Sequence, residues 1–235
     1  MNLVMFDIDG TLTQTDEVDA DCFVRAMREV LNLPHIDCDW SRYQHVTDSG
    51  IAAEIIRTQF RREPSAGEIE SIKDHFALLL RDASHADPTA FRPVPGASKM
   101  LDMMAARSEI AVALATGGWE RSARLKLRIA GLNVEQFTFA SADDSINREE
   151  IMSIAHVRAL QRCRKDAFDS FTYVGDALWD LRASQRLSIP FVAVANGDRA
   201  EKLKSQGAEY VLPDFRDYDR FVGILQSVLK TSRHE

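Results

Sequence analysis

An apolar run that ends in two carboxylates and a glycine is the feature that most constrains the fold of this chain. The run covers residues 3–6 and is followed by Asp7-Ile8-Asp9-Gly10-Thr11. Four consecutive apolar residues are typical of a central parallel strand, because both faces of such a strand are covered. Gly10 allows the chain to leave the strand in a sharp turn. The stretch therefore predicts a buried strand that carries acidic side chains at its carboxyl end.

The two carboxylates of this stretch have two interpretations. Asp7 and Asp9 are two residues apart, so in an extended chain they project to the same side. Two like charges placed together are costly unless a cation or a shared proton compensates them, which favours a chemical role. The alternative is an acidic strand-to-turn junction, because Asp and Gly are common in turns.

Composition limits the class of protein. The chain has 235 residues and a formal net charge of -7, which argues against a general affinity for nucleic acid or an anionic membrane. No apolar run approaches the roughly 18 residues of a membrane span, and the first residues do not resemble a signal peptide. We therefore expect a cytoplasmic protein without nucleic-acid or membrane partners. The sequence leaves the oligomeric state open.

A helical pattern follows the first strand and continues for about eighty residues. Val18, Phe23 and Met27 recur at helical spacing, and Ser65-Ala66-Gly67-Glu68 has the form of a capping box. Each predicted helix has one apolar face, so the helices are expected to pack on one another. A segment rich in proline, residues 92–96, then marks the end of the helical part.

Helices and strands alternate in the rest of the chain, which is the signature of a doubly wound α/β fold with a parallel sheet. Strands are predicted at 110–115, 137–140, 171–174, 191–195 and 210–212. Helices are predicted at 97–107, 120–130, 148–163 and 215–229.

Polar clusters follow three of the predicted strands. They are Asp7 with Asp9, Thr116-Gly117-Gly118, and Asp176 with Asp180. Ligands of open α/β sheets bind outside the carboxyl ends of the strands, so these clusters are expected to meet in one crevice. Carboxylate oxygens without a nearby histidine favour Mg²⁺ over zinc, and Asp7, Asp9, Asp176 and Asp180 are the candidate metal ligands.

The chemistry of these groups suggests a role for each. Asp7 is the candidate nucleophile, because a strand-end aspartate beside a cation can attack phosphorus. Asp9 is placed to protonate the leaving oxygen and then to activate water. Thr116 can donate a hydrogen bond to a phosphoryl oxygen, and Gly117 and Gly118 let backbone N–H groups approach it.

These motifs resemble those of the haloacid dehalogenase-like hydrolase superfamily. Asp7-Ile8-Asp9-Gly10-Thr11 is similar to its first motif, Thr116 at a strand end to its second, and Gly175-Asp176 with Asp180 to its fourth. The helical insertion is similar in position to the caps of phosphoglycolate phosphatases and β-phosphoglucomutases. The resemblance implies a Rossmann-like core at 1–13 and 93–235, an all-helical cap domain at 14–92, Mg²⁺, and phosphoryl transfer through an aspartyl-phosphate.

The third motif of that superfamily is a basic residue, and here two interpretations stay open. Arg148 opens the helix at the place where the superfamily's basic residue lies. Alternatively, Asn147 and Glu150 form a helix cap and Arg148 is a solvated residue of the first turn. Lys126 and Lys165 are weaker candidates for the basic residue. We expect Arg148 to be the catalytic cation.

The resemblance also indicates where a substrate would be recognised. His45 lies in a polar break before a predicted helix, where caps of this kind place a substrate-reading loop, although an ordinary loop would have the same sequence. The predicted function is a magnesium-dependent phosphatase acting on a small phosphorylated metabolite. A phosphomutase is the alternative, and a non-catalytic binding module on the same scaffold is a third hypothesis.

Overall fold

A six-stranded parallel sheet forms the centre of the computed structural model, which describes residues 1–231. Its strands are β1 (Asn2–Phe6), β2 (Ile110–Ala115), β3 (Thr138–Ala140), β4 (Ser170–Gly175), β5 (Phe191–Val194) and β6 (Tyr210–Leu212). The helices are α1 (Asp16–Leu31), α2 (Asp48–Phe60), α3 (Ala66–Ala86), α4 (Ala97–Ala105), α5 (Glu120–Ile129), α6 (Arg148–Cys163), α7 (Leu178–Arg186), α8 (Gly197–Ser205) and α9 (Tyr218–Thr231). Short 3₁₀ turns cover Trp40–Arg42 and Pro88–Phe91.

The first strand lies in the middle of the sheet. The strand order is β3-β2-β1-β4-β5-β6, so the chain winds outwards from β1 in one direction and then in the other. In the register, Leu3 lies between Ala111 of β2 and Phe171 of β4. This arrangement confirms the predicted doubly wound parallel sheet with a central first strand.

Alternate residues of β1 contribute to two separate hydrophobic layers. Val4 and Phe6 belong to the layer under α4, α5 and α9, whereas Leu3 and Met5 belong to the layer under α6, α7 and α8. All four side chains are buried, which is why this strand has no polar alternation in its sequence.

The helices between β1 and α4 form the predicted helical insertion and have a hydrophobic cluster of their own. Phe23 of α1 and Phe76 of α3 pack edge to face, with ring centroids 5.7 Å apart. Ser65 and Glu68 form the predicted capping box at the start of α3. Trp119, which follows β2 in the α/β part, is buried in the same cluster, 5.7 Å from Phe23. The insertion and the sheet therefore share a hydrophobic contact.

Two helices, α7 and α8, were not predicted from the sequence. Both are short, and α8 buries only Ala200 and Leu203. A helix with so few apolar positions has too weak a periodicity to be recognised from sequence. Among residues 1–231, no helix is both long and apolar enough to cross a membrane.

Candidate active site

Three aspartates from the segments that follow β1 and β4 meet at the carboxyl edge of the sheet. Asp7 follows β1, Asp176 follows β4, and Asp180 lies in the first turn of α7. One carboxylate oxygen of each lies within 4.8 Å of the others. All three residues are at most 5% exposed. The edge of the sheet therefore carries a compact and buried group of acidic side chains.

Burial and mutual repulsion perturb these carboxyl groups. Burial is the main reason that the pKa of Asp7 lies well above its ordinary value, and the charge of Asp180 raises it further. Burial likewise raises the pKa of Asp176 well above its ordinary value, followed by repulsion from Asp16 and Asp180. The pKa of Asp180 is also raised by burial. The site thus has more negative charge than its surroundings compensate.

Arg148, at the start of α6, supplies one compensating charge. Its Nη1 donates to Asp180 Oδ1 at 2.8 Å and lies 3.4 Å from Asp7 Oδ1. Its Nη2 donates to the backbone oxygen of Val46 at 3.0 Å. The Asn147 side chain accepts a hydrogen bond from the backbone N–H of Glu150 at 3.1 Å. Asn147 therefore caps the helix, as the alternative interpretation predicted. The other half of that interpretation, a solvated Arg148, is wrong, because the Arg148 side chain is only 11% exposed and extends into the site.

A second cation, Arg199 of α8, was missed in the sequence. Arg199 Nη1 contacts a carboxylate oxygen of Asp176 and lies 3.3 Å from Asp16 Oδ2. Its side chain is 49% exposed, so it covers the acidic group from the solvent side. No sequence pattern marks it, because it lies on a helix that was itself not predicted.

Asp9 lies apart from the three clustered aspartates. Its Oδ1 accepts a hydrogen bond from Thr15 at 2.6 Å, and its Oδ2 accepts one from Lys126 at 2.7 Å. The side chain is 21% exposed, in contrast to the wholly buried Lys126. The structure thus brings together three of the four predicted metal ligands and gives the fourth, Asp9, cationic and hydroxyl partners instead.

Thr116 and the two glycines lie at the end of β2, beside the same edge. The Thr116 hydroxyl oxygen accepts a hydrogen bond from the Gly118 N–H at 3.0 Å, so its proton remains available to a ligand. A Cβ atom on Gly117 would lie 2.2 Å from Arg148 Nη2, so only glycine leaves room for the guanidinium there. A Cβ atom on Gly118 would lie 3.5 Å from Thr116 Oγ1 and 3.8 Å from Asp9 Oδ2. These groups therefore surround one small space.

The loop before α2 reaches from the insertion to this edge. The Thr47 hydroxyl donates to the Ile146 backbone oxygen at 2.8 Å, and the Asp48 N–H donates to the Gly117 oxygen at 2.7 Å. The Ser49 hydroxyl donates to the Ala142 oxygen at 2.7 Å. His45 is half-buried and lies against Gly50 in the first turn of α2. Hydrogen bonds from residues 47–49 thus hold the insertion beside the acidic group. These residues belong to the segment that was predicted to recognise the substrate.

The acidic group has the donor chemistry of a divalent-cation site. Its ligand atoms are carboxylate oxygens, which are the ligands that Mg²⁺ prefers. Gly10 has a φ of 74°, and a Cβ atom there would lie 2.2 Å from Asp176 Oδ2. The glycine turn therefore leaves the space that the Asp176 carboxylate occupies. The residues present fit a hard cation held by Asp7, Asp176 and Asp180.

Comparisons with solved structures agree with this architecture. A hydrolase from Pseudomonas syringae has 18% sequence identity and a TM-score of 0.70, and the match covers 95% of this chain and 98% of that one. CbbY from Rhodobacter sphaeroides in complex with xylulose-1,5-bisphosphate has 18% identity and a TM-score of 0.62, over 92% of this chain and 95% of that one. A predicted phosphoglycolate phosphatase from Haemophilus somnus 129PT has 16% identity and a TM-score of 0.58, over 94% and 97% of the two chains. At these identities the similarity establishes a shared fold.

Sequence comparisons give the family. No curated protein matches the chain. The family model described as haloacid dehalogenase-like hydrolase matches residues 4–194, which extend from within β1 to the end of β5 and include the helical insertion. The chain therefore belongs to the haloacid dehalogenase-like hydrolase family and has its Rossmann-like sheet with an inserted helical cap.

Proposed function

We propose that this protein is a magnesium-dependent phosphatase that hydrolyses a small phosphorylated metabolite through an aspartyl-phosphate on Asp7. One observation carries the proposal: Asp7 lies at the end of the central strand with Asp176, Asp180 and Arg148 around it. A nucleophilic carboxylate needs a cation beside it, because the phosphoryl group that it attacks is itself an anion.

In the first proposed step, a carboxylate oxygen of Asp7 forms a bond to phosphorus and the bond from phosphorus to the leaving oxygen breaks. Asp9 gives its proton to that oxygen as it leaves. In the second step, water attacks the phosphorus of the aspartyl-phosphate and Asp9 takes the proton from the water. The bond between phosphorus and the Asp7 oxygen then breaks, which releases inorganic phosphate and restores both carboxyl groups.

Positive charge and hydrogen-bond donors would orient the phosphoryl group during both steps. Arg148 would offset negative charge, and its buried Nε has no hydrogen-bond partner among residues 1–231. Thr116 would donate its hydroxyl proton, and the backbone at Gly117 and Gly118 would allow close approach. Mg²⁺, held by Asp7, Asp176 and Asp180, would neutralise phosphoryl charge, while Asp9 keeps its contacts with Lys126 and Thr15.

The helical insertion, at residues 14–92, would act as the cap over a core made of residues 1–13 and 93–235. Its loop with His45 lies beside Gly50 and is continuous with the segment that bonds to the core. Contacts from such a loop would select the part of the substrate that lies beyond the phosphate, whereas the core groups would bind the phosphate itself.

A phosphatase screen tests the proposal. The panel contains sugar phosphates, nucleotides, phosphoglycolate and amino-acid phosphates, each with Mg²⁺ or with EDTA. We expect phosphate release that requires Mg²⁺ and that Asp7→Asn abolishes. Asp166→Asn is the matched control, because Asp166 is exposed in the loop after α6.

Two other outcomes would contradict the proposal in different ways. Isomerisation of a sugar phosphate in the presence of its bisphosphate, without phosphate release, would identify a phosphomutase, the group to which the sequence motifs are also similar. A folded protein that hydrolyses nothing in the panel would favour the non-catalytic binding module.

A further inference from the structure

Lys126 is a charged side chain in an unusual position. It lies on the buried face of α5 and has no exposed surface. A lysine is seldom fully buried without a partner, because removing an ammonium group from water costs several kcal/mol. Burial lowers the pKa of Lys126, but the charges of Asp19 and Asp9 raise it by more, so the ammonium stays protonated.

The ammonium group connects two carboxylates that belong to different parts of the molecule. It donates to Asp9 Oδ2 at 2.7 Å and contacts Asp19 Oδ1. Asp9 belongs to the turn after the central strand, and Asp19 belongs to α1 in the helical insertion. Asp9 and Asp19 therefore share the buried positive charge of Lys126.

Both oxygens of Asp9 are engaged. The Thr15 hydroxyl donates to Oδ1 at 2.6 Å, and the Lys126 ammonium donates to Oδ2 at 2.7 Å. The Thr13 hydroxyl lies 2.6 Å from that of Thr15 and 3.3 Å from the backbone oxygen of Ile8. Two donors on opposite oxygens fix the rotation of a carboxylate, which one donor alone does not do.

We propose that Lys126 is a positioning residue for Asp9: it holds Asp9 Oδ2 in the orientation from which Asp9 transfers protons, and Asp19 holds Lys126. This inference rests on the proposed function, because it gives Lys126 a role only through the acid and base Asp9. The orientation matters because a proton-transfer group works only within hydrogen-bond reach of the reacting oxygen.

The leaving group of the substrate provides the first test. An alkyl phosphate needs a proton on its leaving oxygen, whereas p-nitrophenyl phosphate has a leaving group stable enough to depart without one. We expect Lys126→Met to lower kcat/KM for the best alkyl phosphate of the panel by about 100-fold, and for p-nitrophenyl phosphate by less than about tenfold. Lys202→Met is the control, because Lys202 is exposed and has no proposed role. An equal loss on both substrates would overturn the inference.

The Asp9→Asn background provides the second test. If Lys126 acts through Asp9, adding Lys126→Met to Asp9→Asn causes little further loss of kcat/KM. A full additional loss would contradict the inference. Because removal of one buried charge can prevent folding, the Lys126→Met/Asp19→Asn variant, which removes both charges of the second contact, is measured in parallel.

A stability measurement separates this inference from the proposed function. The urea midpoints of Lys126→Met, Asp9→Asn and the double variant should be non-additive, because the two side chains share one hydrogen bond. Additive midpoints would overturn the inference even if the enzyme hydrolyses phosphate esters. If the midpoints are non-additive but the protein hydrolyses no phosphate ester, the contact between Lys126 and Asp9 is supported and the proposed phosphatase function is contradicted.

Discussion

Arg148 Nη1 donates to Asp180 Oδ1 at 2.8 Å in a region where the two side chains are 11% and 0% exposed. An ion pair this far from solvent differs from a surface pair, because removing one partner leaves the other charge without compensation. The packing of α6 against the sheet therefore depends on this contact with the acidic group.

Replacement of Arg148 should therefore reduce both stability and activity. We expect Arg148→Ala to lower the free energy of unfolding by about 3 kcal/mol, the scale for breaking a buried pair. Phosphatase turnover should fall by at least about 100-fold, as for loss of one charge-stabilising donor. Urea unfolding and steady-state kinetics measure the two effects. Arg186→Ala is the control, because Arg186 is 70% exposed and pairs with Glu149 on the surface. Turnover close to that of the wild type in Arg148→Ala would remove Arg148 from the site.

The raised pKa of Asp176 predicts an unusual dependence of stability on pH. Because the folded state binds this proton more tightly than the unfolded chain, the contribution of Asp176 to stability falls as pH rises from about 4 through its raised pKa. Asp176→Asn, which cannot ionise, should then have a higher Tm than the wild type near neutral pH in EDTA.

Excess Mg²⁺ should reverse that order. A cation that binds the ionised carboxylates stabilises the wild type increasingly as pH rises, whereas Asp176→Asn should gain much less. Thermal unfolding between about pH 5 and pH 8 tests both effects, since this range covers the titration of carboxyl groups with raised pKa values. Asp166→Asn should follow the wild type. Equal gains in Tm for Asp176→Asn and the wild type would contradict a cation site at Asp176.

Gly10 and Gly131 form a matched pair for testing the turn after the central strand. They have φ values of 74° and 71°. A Cβ atom on Gly10 would lie 2.2 Å from Asp176 Oδ2, whereas a Cβ atom on Gly131 would have no other atom within 4 Å. Replacement of either by alanine costs about 1 kcal/mol from the left-handed backbone conformation.

We expect only Gly10→Ala to displace the Asp176 carboxylate. Its phosphatase activity should require a higher concentration of Mg²⁺, whereas Gly131→Ala should keep the magnesium dependence of the wild type. Activity titrated with MgCl₂, together with urea unfolding, measures both effects. The same magnesium dependence in both variants would show that the Gly10 position does not shape the cation site.

The sequence was sufficient to predict the sheet and the ends of its strands, because both depend on local patterns. Apolar runs that stop at Asp7, Thr116 and Asp176 identify the carboxyl edge, and the side chains of Asp7 and Asp176 do meet there. Arg148 was predicted from its place in the chain, and its contacts with Asp7 and Asp180 agree with that interpretation.

The partners of Asp9 could not be predicted in this way. Lys126 and Asp9 are 117 positions apart, and Lys126 lies within an amphipathic helix that contains other basic residues. No feature of the neighbouring sequence distinguishes Lys126, which is buried, from the other basic residues of α5. Arg199 was missed for a similar reason, since its helix buries too few apolar residues to produce a recognisable pattern.

The central position of β1 also has a consequence for how the chain folds. Leu3 pairs with Ala111 and with Phe171, so the neighbours of β1 are separated from it by more than a hundred residues. Pairings at such separations form slowly, because the intervening chain must first be closed into a loop. During synthesis β1 is made long before β2 and β4, so its apolar residues have no partner strand until those strands have been made. The strand that organises the finished site is thus open to misassociation while the protein is being made.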